Sequence, residues 1–316
     1  MKILITGGAG FIGSHVGRLL ASEGHDIVVL DDFNDYYDPG IKRANIAAFL
    51  PGARVVEGDI RDKAAVARAF EGDAPDAVIH LAARAGVRPS LEEPELYLST
   101  NIQGTFHLLE ACRERGIKRF VFASSSSVYG VNEKTPFSED DPLPRTISPY
   151  AMTKLAGEHL CSNFSHLHGM GIVCLRFFTV YGPGQRPDLA IHKFTRLIHE
   201  GRPLDQYGDG GTERDYTYID DIVQGVRAAL FYEERPFEIF NLGESETTKL
   251  RDLIAAIEEA LGKKAEIRRL PEQPGDVPRT FADISKARKL LGYQPTTKIS
   301  EGIPRFVEWF LAREAK

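Results

Sequence analysis

KILITGGAGFIGSH, residues 2–15, runs from a β-branched apolar stretch through a glycine turn into a helical pattern. Lys2 to Thr6 has the composition of a buried strand. Thr6-Gly7-Gly8-Ala9-Gly10-Phe11-Ile12-Gly13 follows it, with glycines at 7, 10 and 13 spaced GxxGxxG. Glycine allows the tight turn and lets backbone N–H groups approach a ligand closely. The N-terminus of the helix that opens there favours an anion. A dinucleotide pyrophosphate needs this combination at the first strand-to-helix turn. A second strand ends in Asp31-Asp32, about 20 residues further on, where a carboxylate accepts bonds from a ribose 2′-OH and repels a 2′-phosphate. The spacing therefore predicts NAD rather than NADP. Asp59, after the third strand, falls near the adenine.

The same alternation continues outward. Strand-like runs lie at 2–6, 26–31, 53–58, 76–82, 119–124 and 171–178, with helical patterns between them at 11–23, 62–70 and 97–115. Several strands are apolar on both faces, as a parallel sheet covered by helices requires. The fold expected is α/β, a Rossmann-type doubly wound parallel sheet over residues 1–176, to which later segments return. Beyond it Pro and Gly become denser, in YGPGQRP (181–187), YGDGG (207–211) and PEQPGD (271–276). Residues 177–316 then form a smaller α+β lobe.

Bulk properties narrow the function. With 316 residues, 42% hydrophobic and 27% charged, the chain is an ordinary globular protein. A net charge of −6 argues against nucleic acid or a membrane surface as partner. No apolar run approaches the roughly 20 residues of a membrane span, and the N-terminus lacks a signal-peptide pattern. Three widely spaced cysteines, Cys112, Cys161 and Cys174, read as reduced thiols in a cytoplasmic protein. The nine histidines share no ligand spacing, so neither a metal nor a catalytic histidine is expected.

Tyr150-Ala151-Met152-Thr153-Lys154 puts a phenol and an ammonium four residues apart, on one helical face. A cation beside a phenol favours the phenolate, so Tyr150 is the candidate base. The pair follows a strand that ends in four hydroxyls, Ser124 to Ser127.

TGGAGFIG, SSSSVYG, YAMTK and the later RDYTYIDD together resemble the extended short-chain dehydrogenase/reductase family, over essentially the whole chain. The resemblance implies a bound NAD, a catalytic set of Ser125, Tyr150 and Lys154, and a C-terminal lobe that grips a nucleoside diphosphate sugar. It implies that Gly7, Gly10, Phe11, Ile12, Gly13, Asp31, Asp32, Asn34, Asp59 and Ile60 bind the cofactor. Leu81, Ala82, Ala83, Asn101, Ser124, Tyr150, Lys154, Phe177 and Val180 complete that set.

Within the family, 4,6-dehydratases carry Asp-Glu after the catalytic threonine, and UDP-glucuronate decarboxylases carry Thr-Ser-Glu. Here Ser126 and Ser127 stand in those places. An epimerase needs neither acid, because the same hydride returns to the other face of a 4-ketone. The stretches 32–39, 85–90 and 177–183 are similar to those of UDP-glucuronate 4-epimerases, which interconvert UDP-glucuronate and UDP-galacturonate. Ser126, Ser127 and Thr179 are then expected to hold the carboxylate, with Arg88 or Arg186 nearby. Arg214 matches the family's phosphate-binding arginine. Arg279 and Asp276 complete the expected substrate contacts, along with Ser125 and Tyr150, while Gln273 stands where many relatives carry arginine. A UDP-glucose 4-epimerase, a decarboxylase or dehydratase, and an NAD-binding sensor or scaffold remain alternatives. The family commonly dimerises through the helices starting near 97 and 149, and Leu108, Leu109, Cys112, Leu155, His159 and Ser162 are the candidate face.

Overall fold

The computed structural model describes residues 1–143, 145–271 and 279–314. Asp276 and Gln273 lie outside the described residues.

Seven parallel strands form the main sheet: β1 (Lys2–Thr6), β2 (Asp26–Asp31), β3 (Arg54–Glu57), β4 (Ala77–His80), β5 (Arg119–Ser125), β6 (Gly171–Phe177) and β7 (Phe237–Leu242). Their order is β7-β6-β5-β4-β1-β2-β3. The order reverses between β1 and β4, and a crevice opens beyond the carboxyl ends of the strands at such a switch point. β1, β2 and β4 to β6 are buried along nearly their whole length, which explains their unbroken apolar runs.

Helices α1 (Phe11–Ser22), α2 (Pro39–Phe49), α3 (Thr105–Glu114) and α4 (Pro149–His168) cover the sheet. The core divides into two clusters, one on each face: one around Ile3, Ile5 and Val121, the other around Leu4, Val28 and Phe120. Successive side chains of each strand point to opposite sides.

One departure from the sequence reading, and one later segment that returns to the sheet, position the site. The helix expected over 97–115 is broken: Pro94–Tyr97 leads into a π-helical turn, Leu98–Gly104, before α3 begins. Asn101 lies in that turn, where wider winding turns its side chain inward. The seventh strand comes from well beyond residue 177 and pairs with β6 from Phe237↔Ile172 to Leu242↔Phe177.

The remaining C-terminal residues build small paired strands. Thr179–Tyr181 pairs with Tyr216–Tyr218, Glu213–Arg214 with Thr248–Lys249, and Leu204–Tyr207 with Ile267–Leu270. Asp215 pins this region together. Its fully buried carboxylate accepts N–H bonds from Glu244, Ser245 and Ala282 and a hydroxyl bond from Thr217. Burial pushes that carboxyl up to about 6, while the four donors oppose the rise.

Candidate active site

A cleft of about 500 Å³ opens at the carboxyl ends of the strands. Its floor at one end is the glycine turn. A Cβ on Gly7 would meet the Ala82 backbone nitrogen at 2.8 Å, and one on Gly13 would meet the Gly7 carbonyl at 2.3 Å. Only glycine lets these backbones pass so closely, and Gly7 also holds φ +69°. α1 starts at Phe11 with no side-chain cap and no acidic residue in its first turn. Its first N–H groups lack intrahelical partners and offer donors to an anion. The residues present thus fit a dinucleotide diphosphate.

Asp31 and Asp32 border the same end, with Asn34, Asp59 and Ile60. Sequence reasoning missed Lys42. Its buried ammonium lies 2.8 Å from Asp31 Oδ1 and 3.4 Å from Asp32 Oδ1. Asp31 also accepts the N–H groups of Phe33 (3.0 Å) and Ala9 (3.2 Å). Two carboxylates against one ammonium leave the ribose corner negative, which still disfavours a 2′-phosphate. The available signal was Asp38-Pro39, an N-cap followed by proline at the first helical position, which starts α2 and swings Lys42 inward.

At the other end, Ser124 to Ser127, Tyr150, Lys154, Phe177, Thr179, Val180 and Arg186 line the cleft, with Leu81, Ala82 and Ala83 between the two ends. The Ser125 hydroxyl, which favours the Tyr150 phenolate, accepts the Ser127 N–H at 3.2 Å, capping a short 3₁₀ turn, Ser126–Tyr129. The hydroxyls of Ser126, Ser127 and Thr179 form no hydrogen bond to another described residue and face the cleft half-buried. Lys154 is 4% exposed and donates to the Ala123 carbonyl at 2.7 Å.

Burial holds the Tyr150 phenol above its ordinary value; the Ser125 hydroxyl and the Arg186 charge oppose it. Ser125 and Arg186 thus join Lys154 among the groups set against the cost of burying a phenolate at Tyr150. The ammonium sits 6.0 Å from the Tyr150 ring centroid and is aimed at a carbonyl instead. Burial also lowers Lys154, to about 8.

Asn101, expected at the cofactor, is tied to its neighbours. It is 2% exposed, and its amide accepts the Arg84 N–H (2.8 Å) and donates to the Arg84 carbonyl (2.9 Å) and to Thr153 Oγ1 (3.0 Å). It holds the segment after β4 against α4, one residue from Lys154. His80 is similarly internal, between Thr6 and Thr105 at 2.7 and 2.9 Å, and burial pushes it down to about 3.

The expected arginines separate. Arg186 stays at the cleft, 5.3 Å over the Tyr36 ring and paired with Asp188. Arg84, unnoticed in the sequence, lines the cleft on the same tyrosine, 6.0 Å from its centroid. Arg214 and Arg279 lie away from the cleft lining but together, since Glu213 bridges to Arg279 and precedes Arg214. Arg279 pairs with Glu213 at 3.0 Å. Arg88 lies outside the lining, over the Tyr207 ring. Among the described residues no three His, Cys, Asp or Glu converge as metal ligands.

A profile of the NAD dependent epimerase/dehydratase family matches residues 3–243. The chain belongs to that family. UDP-glucuronate 4-epimerase 1 of Arabidopsis thaliana is 44% identical, over 99% of this chain and 77% of that protein. The crystal structure of UDP-glucuronic acid 4-epimerase from Bacillus cereus, in complex with UDP-glucuronic acid and NAD, superposes with a TM-score of 0.89 at 40% identity. The match covers 99% of this chain and 100% of that one. The UDP-glucose 4-epimerase of Thermotoga maritima, with UDP-glucose, gives 0.92 at 34% identity over 99% and 100%. NAD, the cofactor of this family, is an oxidant whose diphosphate fits the glycine cradle.

Proposed function

We propose that this chain is an NAD-dependent 4-epimerase that interconverts UDP-glucuronate and UDP-galacturonate. The observation that carries the reading is the collar of Ser126, Ser127 and Thr179, which lines the same cleft as Tyr150 and Lys154 and whose hydroxyls have no hydrogen-bond partner among the described residues. Had these hydroxyls only capped a turn, they would be bonded to backbone groups, as Ser125 is.

Tyr150, as phenolate, takes the proton of the sugar 4-OH, and Ser125 shares that proton's hydrogen-bond network. Lys154 keeps positive charge beneath the phenol. Bound in the glycine cradle, NAD supplies a hydride acceptor and donor for C4. The 4-keto uronate is a β-keto acid, which loses CO₂ when its C5–C6 bond aligns with the carbonyl π system. A grip by three hydroxyls holds the carboxylate out of that alignment and carries no charge to help it leave. The carboxylates lining the cleft among the described residues, Asp31, Asp32 and Asp59, lie at or just after the ends of β2 and β3, on the adenosine side. Among the described residues no Asp or Glu lines the sugar end, so elimination there lacks the carboxyl acid and base that a dehydratase would need.

Arg214 and Arg279 face the nucleotide diphosphate from the C-terminal lobe, with Arg186 over the sugar. This divides the labour between a cofactor-binding sheet, completed by β7, and a substrate lobe built from the other residues after 177. Two copies pair through the exposed apolar residues Leu98, Phe106, Met152 and Leu167 on the outer faces of the 98–114 segment and α4. Leu108, Leu109 and Cys112 do not contribute, because they are packed inside the core at 0% exposure. Among the described residues no helix is long and apolar enough to cross a membrane. The three buried cysteines form no disulfide, which fits work in a reducing cytoplasm.

UDP-glucose is the second candidate substrate, favoured by the likeness to the Thermotoga maritima enzyme. NMR of each sugar nucleotide incubated with the protein decides between them. UDP-galacturonate formed from UDP-glucuronate at the higher kcat/KM supports the reading; a pentose product, or faster turnover of UDP-glucose, overturns it.

A further inference from the structure

Tyr150, Lys154 and Glu158 follow one another at four-residue spacing along α4, so they share one face. Each meets one of three consecutive residues at the end of β5. Tyr150 stands with Ser125 in the cleft lining, Lys154 donates to the Ala123 carbonyl, and Glu158 Oε1 accepts the Ser124 hydroxyl at 2.5 Å. The first two contacts belong to the proposed chemistry. The third is fixed from behind. Arg176, the register partner of Ser124 on β6, grips Glu158 with both arms, at 2.9 and 2.8 Å. It also donates to the Tyr129 hydroxyl at 3.0 Å, which donates to Asn241 Oδ1 at 2.7 Å on β7. Glu158 is 3% exposed, Arg176 2%, and Tyr129 and Asn241 0%.

An apolar pair of similar volume would fill this space at no desolvation cost. What an apolar pair would not provide is a directional tether on Ser124. That residue's backbone sets the position of both the Ser125 hydroxyl and the Ala123 carbonyl.

We infer that Glu158, locked by Arg176, is a positioning residue that tethers the end of β5 so that Ser125 stays on the Tyr150 phenol. This rests on the epimerase reading above. The phenol also faces Arg186, the Lys154 ammonium and the Tyr97 ring. These stay in place when the tether is cut.

The test is S124A, which removes the tether and leaves the ion pair intact, alongside E158A. Misplacement of a reacting group by about 1 Å costs on the order of 100-fold. S124A should therefore lower kcat by about 10- to 100-fold, with KM within about twofold. The Tyr150 phenol of the NAD-loaded protein should titrate at higher pH. That titration is read as tyrosinate absorbance against a matching Y150F background. E158A should match it; if E158A fails to fold because Arg176 is left unpaired, S124A decides alone. Wild-type kcat in S124A, or a loss of melting temperature and activity with the phenol titration unmoved, overturns the tether. The titration needs no sugar. Failure of the wild-type protein to turn over UDP-glucuronate would thus sink the substrate reading and leave the tether still decided.

Discussion

Replacing Lys154 by methionine should make the protein more stable at neutral pH and nearly inactive. The ammonium is 4% exposed, and its displacement from 10.5 to about 8 has burial as its main cause. At about 1.4 kcal/mol per pH unit, that displacement is worth about 3 kcal/mol of unfavourable charge burial. Methionine removes this cost but leaves the Ala123 carbonyl without its donor at 2.7 Å, a loss of about 1–2 kcal/mol. The net expectation at pH 7 is a variant about 1–2 kcal/mol more stable than wild type. The sign changes with pH. Below about 8 the lysine is charged in both states and the folded protein bears the full cost. Between about 8 and 10.5 the unfolded chain binds more protons, so wild-type stability rises through that window. By its upper end the variant should be the less stable protein. Denaturant midpoints of wild type and K154M across pH 7 to about 10.5 measure this, because titrations common to both cancel in the difference. Turnover should fall by about 100- to 10,000-fold. A variant less stable at pH 7, with a gap indifferent to pH, would refute the claim that burial sets the state of Lys154.

Three further outcomes follow from the site. Y150F should lose about 100- to 10,000-fold in turnover and still purify with NAD, since the lost hydroxyl moves the proton while the glycine cradle and the rest of the cofactor set remain; cofactor content and kcat measured on one preparation check both halves. S127E sets a carboxylate against the uronate carboxylate. Like charges about 4 Å apart cost about 4 kcal/mol at an effective dielectric of 20. kcat/KM for UDP-glucuronate should then fall at least about 100-fold while that for UDP-glucose changes little, which competition between the two substrates reads directly. K42M leaves the Asp31 carboxylate, 3% exposed at its side chain, without its cation. Removing one partner of a buried pair costs about 3–5 kcal/mol, so K42M should melt earlier and retain less NAD.

The strands from 2 to 31 and from 119 to 177 were legible because buried parallel strands write continuous apolar runs. The glycine turn was legible because close backbone approach demands particular residues at particular spacings. β7 was not, because FEIFNL at 237–242 carries a glutamate and an asparagine, both used in internal hydrogen bonds. The break at Leu98–Gly104 was hidden because a π turn keeps helical composition and differs only in winding. Asn101 was read as a ligand because its position matched; the bonds of its amide to Arg84 and Thr153 appear only in the fold. Glu158 and Arg176 lie 18 residues apart and meet only when α4 crosses β6. No local pattern announces such a pair. The arginines were the least readable: charge alone could not separate Arg186 and Arg84 at the cleft from Arg214 and Arg279 in the lobe.

The central claim is that C4 is oxidised and then reduced by the same hydride inside one closed site. UDP-glucuronate deuterated at C4, incubated with purified protein and no added cofactor, tests this most directly. The account predicts UDP-galacturonate that retains the deuterium at C4, from protein and from NAD that co-purifies with it. Loss of deuterium to solvent, release of CO₂, or dependence on added oxidant would contradict it.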